Sequence, residues 1–132
     1  MSDRAEFLRK WRGTPYDEVE RNCWWLLALV QAELFGRYLP SVDPGLVGNL
    51  RERARVMATH PLRGEWVQVS RPEDGAAVLM GRTPGMETHC GVYLKDDGGL
   101  ILHTDVAHGV VVDPPADLAF AMRWRLVYLI PK

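Results

Sequence analysis

The chain has 132 residues, with 16 Lys+Arg against 17 Asp+Glu for a formal net charge of -1, and 47% of its residues are hydrophobic. This length suits a single domain, 1–132, that buries about two thirds of the surface its unfolded chain exposes. The balanced charge excludes nucleic acid as the default partner, since phosphate binding needs a basic excess, and the apolar content excludes a disordered chain.

The chain opens Met1-Ser2-Asp3-Arg4-Ala5-Glu6, with early acids and no apolar run, so no secretory signal is expected. The expectation is a soluble protein made in the cytoplasm. Ser2 is placed to cap a first helix whose Ala5, Leu8 and Trp11 recur at spacing three, ending near Gly13. A loop with Gly13-Thr14-Pro15-Tyr16 leads to Asn22. Cys23 to Phe35 then reads as a helix, with Cys23, Leu26, Leu27, Val30 and Leu34 on one stripe and Gly36 as its stop. The longest apolar stretch, Cys23 to Val30, is far short of the ~20 residues of a membrane span. A third helix is predicted from Leu46, Val47, Leu50, Ala54 and Met57, ending before Pro61.

From Trp66 onward the rhythm is that of strands. Trp66–Val69, Ala76–Met80, His89–Leu94, Leu100–Thr104, Gly109–Val112 and Arg123–Ile130 are the expected strands, with Trp124 inside the last. Lys95-Asp96-Asp97-Gly98-Gly99 is the loop of a hairpin. Helices first and strands after imply an α+β fold, N-terminal helices packed on an antiparallel sheet.

Cys23 falls in the first turn of its helix, where free N–H groups and the helix dipole favour a thiolate. The plain alternative is a buried core cysteine. With a five-residue hairpin loop, Leu94 faces Leu100, His103 faces Gly91 and Asp105 faces His89. His89, Gly91, Tyr93, His103 and Asp105 then share one sheet face, with Gly91 leaving room between the two imidazoles. A cysteine nucleophile needs such a base and a polar group to fix its tautomer. Cys90 points to the opposite face from His89 and reads as core, so the two are not expected to share a metal ion. No Cys-x-x-Cys, phosphate loop or Gly-x-Ser-x-Gly turn is present. His60 and His108 read as solvent residues in loops.

Gly13-Thr14-Pro15-Tyr16, Asn22-Cys23-Trp24-Trp25-Leu26, Gly75-Ala76-Ala77-Val78-Leu79-Met80, His89-Cys90-Gly91-Val92-Tyr93-Leu94 and Ile101-Leu102-His103-Thr104 resemble, in order and spacing, the motifs of the NlpC-type cell-wall cysteine peptidases. These are papain-like enzymes that cut the stem peptides of bacterial peptidoglycan. The segment Glu33-Leu34-Phe35-Gly36-Arg37-Tyr38-Leu39-Pro40 resembles the branch found in bacteriophage and prophage tails. The resemblance runs from about Trp11 to Ile130.

It implies a papain-like core with Cys23 as nucleophile, His89 as base, His103 as orienting residue and Tyr16 beside the nucleophile at the oxyanion. It implies hydrolysis of the γ-D-glutamyl-diamino acid bond without metal or cofactor. The implied partners are a stem peptide and, in the tail branch, phage tail proteins. Three departures stand out: Asp74-Gly75 before the strand where the family has Gly-Asp, and, beside the nucleophile, Asn22 where the family has Asp and Trp25 where it has a small residue. Asn22 and Trp25 motivate a second expectation, a tail assembly protein of the same fold with little activity. A third is a papain-like amidase or acyltransferase on a different amide.

Overall fold

The computed structural model describes residues 3–18, 20–39, 64–83 and 86–132. Two helices, α1 (Asp3–Trp11) and α2 (Cys23–Phe35), precede strands β1 (Trp66–Val69), β2 (Ala77–Gly81), β3 (His89–Leu94), β4 (Leu100–Asp105) and β5 (Gly109–Asp113). A short helix α3 (Pro115–Phe120) leads into β6 (Arg125–Pro131). The six strands form one antiparallel sheet in the order β1-β6-β2-β3-β4-β5. The coarse class is therefore α+β, as expected.

The last strand does not lie at an edge: β6 is inserted between β1 and β2. Its predicted start at Arg123 is two residues early. Arg123 takes a left-handed φ of 56°, and the Trp124 N–H donates to the Leu118 carbonyl at 3.1 Å, so Trp124 belongs to a turn and not to the strand. The short helix α3 was also not expected. Pro115 at its first turn needs no hydrogen-bond partner for its nitrogen, which suits a helix start. The predicted third helix (Leu46 to Met57), Ser2 and His60 lie outside the described residues.

Both faces of the sheet's centre are covered. On one face Phe7, Leu26, Leu27 and Val30 of the helices pack on Leu79, Cys90, Val92, Leu102 and Val110. On the other, Val78, Met80 and Ile101 pack with Leu118 of α3 and with Trp124, Leu126 and Tyr128. This is why every residue of β2 is buried, with no alternation to read.

Helix α2 is fixed at both ends. The Asn22 side chain accepts from the Trp25 N–H at 2.9 Å, satisfying one of the free donors at the helix start. Gly36, at φ 67°, turns the chain out, and the Arg37 N–H donates to the Gln31 carbonyl at 2.9 Å. Gln31 itself is completely buried and donates from Nε2 to the Gly75 carbonyl at 2.8 Å, tying α2 to the turn before β2. The β3–β4 hairpin is clamped from outside. Arg4 of α1 pairs with Asp74 and with Asp96, the latter at 3.0 Å, and the Lys95 N–H donates to Asp74 at 3.0 Å. Burial raises the Asp74 carboxyl, but the Arg4 guanidinium and the Lys95 N–H outweigh it and hold it below its ordinary value.

Replacing Gln31 by Leu removes a buried donor that the Gly75 carbonyl uses. The variant is expected to lose about 1–3 kcal/mol, read as a lower urea midpoint at unchanged slope.

Candidate active site

The hairpin register is the one expected from a five-residue loop: Leu94 faces Leu100, and the pairs Tyr93–Ile101 and Val92–Leu102 follow. Gly91 then lies against β4 so closely that a Cβ there would meet the Leu102 carbonyl oxygen at 2.6 Å and the His103 Cβ at 3.0 Å. The absent side chain makes room for the two imidazoles. His89 Nε2 is 3.0 Å from His103 Nδ1, and the rings meet edge to face with centroids 5.2 Å apart.

A third group, not anticipated from the sequence, completes the row. His103 Nε2 lies 2.8 Å from Asp113 Oδ2. β5 extends one residue beyond its predicted end, and the pairing of His103 with Val111 puts Asp113 on the same face as His103. Asp105, the acid expected opposite His89, is used elsewhere. Its carboxylate accepts from the His108 N–H at 2.6 Å and closes the β4–β5 turn, with His108 itself exposed as expected.

The hydrogen-bond directions follow from chemistry. A carboxylate only accepts, so His103 donates from Nε2 to Asp113. Burial of His103, with the charge of His89 beside it, outweighs the Asp113 carboxylate and holds the His103 pKa below its ordinary value, so the ring is neutral. A neutral ring that donates from Nε2 accepts at Nδ1. His89 must therefore donate from Nε2, which leaves its Nδ1 as the nitrogen available to a thiol.

That thiol is Cys23. It stands in the first turn of α2, is 6% exposed, and its pKa is lowered by Cys90 and His89. The strand geometry explains how a helix residue reaches a strand backbone. The Tyr93 N–H donates to Ala76 on the β2 side, so alternate residues, Cys90 among them, direct their N–H groups toward β4. Pairing with β4 covers Val92–Leu94, so the Cys90 N–H lies ahead of it and donates to the Cys23 sulfur. The Cys90 thiol is the largest influence holding Cys23 well below the ordinary thiol range. Burial opposes it, and His89 and the Cys90 N–H add to it. The lowered pKa favours the thiolate, the reactive form.

Cys90 was expected to be a core residue on the helix-facing side, and it is fully buried there. Its contact with Cys23 was not foreseen. Trp124 is the other unforeseen neighbour: its indole stacks on the His89 ring, with centroids 5.8 Å apart and planes 24° from parallel. Arg82 covers the same indole at 4.8 Å.

The two departures beside Cys23 have structural partners. Asn22 caps α2, and Trp25 packs edge-on against Trp11 with centroids 5.5 Å apart. Tyr16 is partly buried in the loop before α2. That loop is stitched to β5 by Gly13 N–H to the Val110 carbonyl at 2.9 Å and Val110 N–H to the Thr14 carbonyl at 3.0 Å. The structure thus brings Cys23, His89 and His103 together and holds Tyr16 on an anchored loop. Among the described residues no cluster of three or more His, Cys, Asp and Glu side chains is arranged to hold a metal ion. None of the described helices is long and apolar enough to cross a membrane.

No protein-family model matches this chain, and no curated protein sequence matches it.

Iodoacetamide should alkylate Cys23 rapidly at neutral and mildly acid pH, where an ordinary thiol is almost wholly protonated. His89→Ala should move the midpoint of the rate–pH profile upward, and Asp113→Ala should move it upward by less. A profile unchanged in His89→Ala would refute the pairing. His103 gives a second expectation. Between its lowered folded value and the ordinary ~6.5, the unfolded chain binds a proton that the folded chain does not. Stability should therefore fall as the pH drops below about 6.5. His103→Gln should show a flatter dependence in urea titrations across that window.

Proposed function

We propose that the chain is a cysteine peptidase with a papain-like core, cleaving the stem peptides of peptidoglycan at an amide such as the γ-D-glutamyl-diamino acid bond. One observation carries this reading: a cysteine at a helix start whose pKa is lowered by neighbours that include His89, with His89 linked through His103 to Asp113. The motif resemblance supports the choice of amide, and Glu33–Pro40 supports a phage or prophage tail setting with tail proteins as partners.

The steps follow from the hydrogen bonds. Cys23 attacks the amide carbon, and the developing oxyanion is met by the Cys23 N–H, one of the helix-start donors without a partner inside the helix, together with the Tyr16 hydroxyl. His89, carrying the thiol proton, gives it to the departing amine and the C–N bond breaks. It then takes a proton from water, which attacks the thioester and frees the acid and Cys23. His103 holds the ring of His89, and Asp113 holds the tautomer of His103, so His89 stays oriented through both proton transfers. Trp124 backs the His89 ring and limits its rotation.

Incubation with muropeptide fragments tests the proposal. Wild type should release a fragment with a new amino terminus at the diamino acid. Cys23→Ala should abolish the release, and His89→Ala should lower kcat by at least about 10³-fold. Trp124→Ala should lower kcat with a smaller change in KM, since it holds the base and not the substrate. Cleavage that survives Cys23→Ala would refute the nucleophile.

A further inference from the structure

Charge is unevenly placed around the imidazole row. His103 meets the Asp113 carboxylate on the β5 side, whereas the β2–β6 side of His89 carries Arg82, Arg123 and Arg125, all exposed. The register brings these residues together. Met80 of β2 pairs with His89 on one side and with Leu126 on the other, and the next residue, Gly81, pairs with Arg125. Arg82 follows Gly81, and Arg123 precedes Trp124, so they gather at the end of the sheet where β3 begins. The whole chain has a formal charge of only -1, so the arginines are a local excess. Among the described residues the ion pairs use Arg4, His103 and His108, and none uses Arg82, Arg123 or Arg125.

An aromatic neighbour holds Arg82. Its guanidinium lies 4.8 Å from the centre of the Trp124 ring, and the same indole stacks on His89 with centroids 5.8 Å apart. The guanidinium is therefore no farther from the imidazole than those two contacts laid end to end. An aromatic surface occupies one face of a guanidinium and leaves the N–H groups at its rim free to donate. Two such N–H groups side by side match both oxygens of a carboxylate. A cation in this place also opposes a base that must carry a proton, until an anion joins it. Both the unpaired guanidinium and the charge it sets beside His89 point to a bound anion.

We propose that Arg82, laid on Trp124, anchors a free carboxylate of the substrate, a role that rests on the peptidase reading and narrows it. Arg123 and Arg125 add to the attraction. In a γ-linked glutamyl residue the side-chain carboxyl forms the amide, so the α-carboxylate stays free on the residue that holds the scissile carbonyl. Arg82 grips that carboxylate while Cys23 attacks the carbonyl. An α-carboxamide of nearly the same size has one oxygen in place of two and no charge, and is a poor partner for Arg82.

The probes are L-alanyl-γ-D-glutamyl-L-lysine and its α-carboxamide form. Their binding to the full-length Cys23→Ala protein is measured by calorimetry, and their hydrolysis is measured with the wild type. The carboxylate peptide should bind at least about tenfold more tightly, and added salt should narrow that gap. Arg82→Gln should bind the two peptides alike, at the level of the carboxamide. Wild-type kcat/KM should show the same preference, a comparison that needs no variant. Equal affinity for the two peptides would overturn the proposal. So would a preference that persists in Arg82→Gln, because an Arg82 that merely supports Trp124 and His89 weakens both peptides equally. If the carboxylate peptide binds better but neither is cut, the carboxylate site stands and the peptidase reading fails. Equal cutting of both does the reverse, and binding of neither overturns both.

Discussion

The arrangement depends on a single acceptor-only group. Asp113 accepts a hydrogen bond from the Nε2–H of His103, and from that one bond the tautomer of each ring follows in turn until His89 Nδ1 is left for sulfur. Removing the carboxylate would leave His103 free to turn or change tautomer, and the direction of every bond toward Cys23 would be lost with it. The neutral state of His103 is part of the same constraint. Protonation of His103 would place a proton on Nδ1 and remove the acceptor that faces His89, whereas a buried neutral ring can accept from it.

The thiol side of the site rests on α2 being held rigidly. Asn22 sets where the helix starts, and Gln31, completely buried, fixes the other end to the Gly75 turn. Cys23 is thereby carried to the beginning of β3, ahead of its pairing with β4. There its sulfur replaces the strand partner that the Cys90 N–H would otherwise have in β4. A buried backbone N–H must find an acceptor, so the fold stabilises the thiolate by the same means that it satisfies its own backbone. The lowered pKa of Cys23 and the open end of the hairpin follow from one packing arrangement.

Much of this was legible in the residues. The bounds of α2 followed from an apolar stripe ending in Gly36, and the β3–β4 register from Lys95-Asp96-Asp97-Gly98-Gly99, because loop length sets register. That register alone placed His89 and His103 on one face. Asp113 was missed because an apolar run, Val110-Val111-Val112, was taken as the whole strand, although the period of two continues through the next residue. Asp105 was favoured for its place on the hairpin face. A turn gives an Asp a nearer partner in its own backbone, and the His108 N–H took it. Trp124 was hidden for another reason. Its position depends on the left-handed Arg123, which no apolar pattern announces. The Cys23–Cys90 contact requires α2 docked on the sheet, a tertiary fact outside the reach of periodicity.

The hairpin loop therefore has a part in the chemistry although it lies at the far end of β3 from the site. Asp97 at φ 53° and Gly98 at φ 84° bend it, and Arg4 and Asp74 clamp it from outside. A slip of one residue there would turn every β4 side chain to the opposite face. His103 would then point into the helix-side core beside Leu102's present neighbours, and Thr104 or Leu102 would face His89. An ion pair from α1 to a surface loop would contribute little to stability by itself. Its value is that it holds in place the loop whose length sets the register in which two imidazoles and a carboxylate meet, so polar contacts at the other end of β3 bear on whether the sulfur has a base.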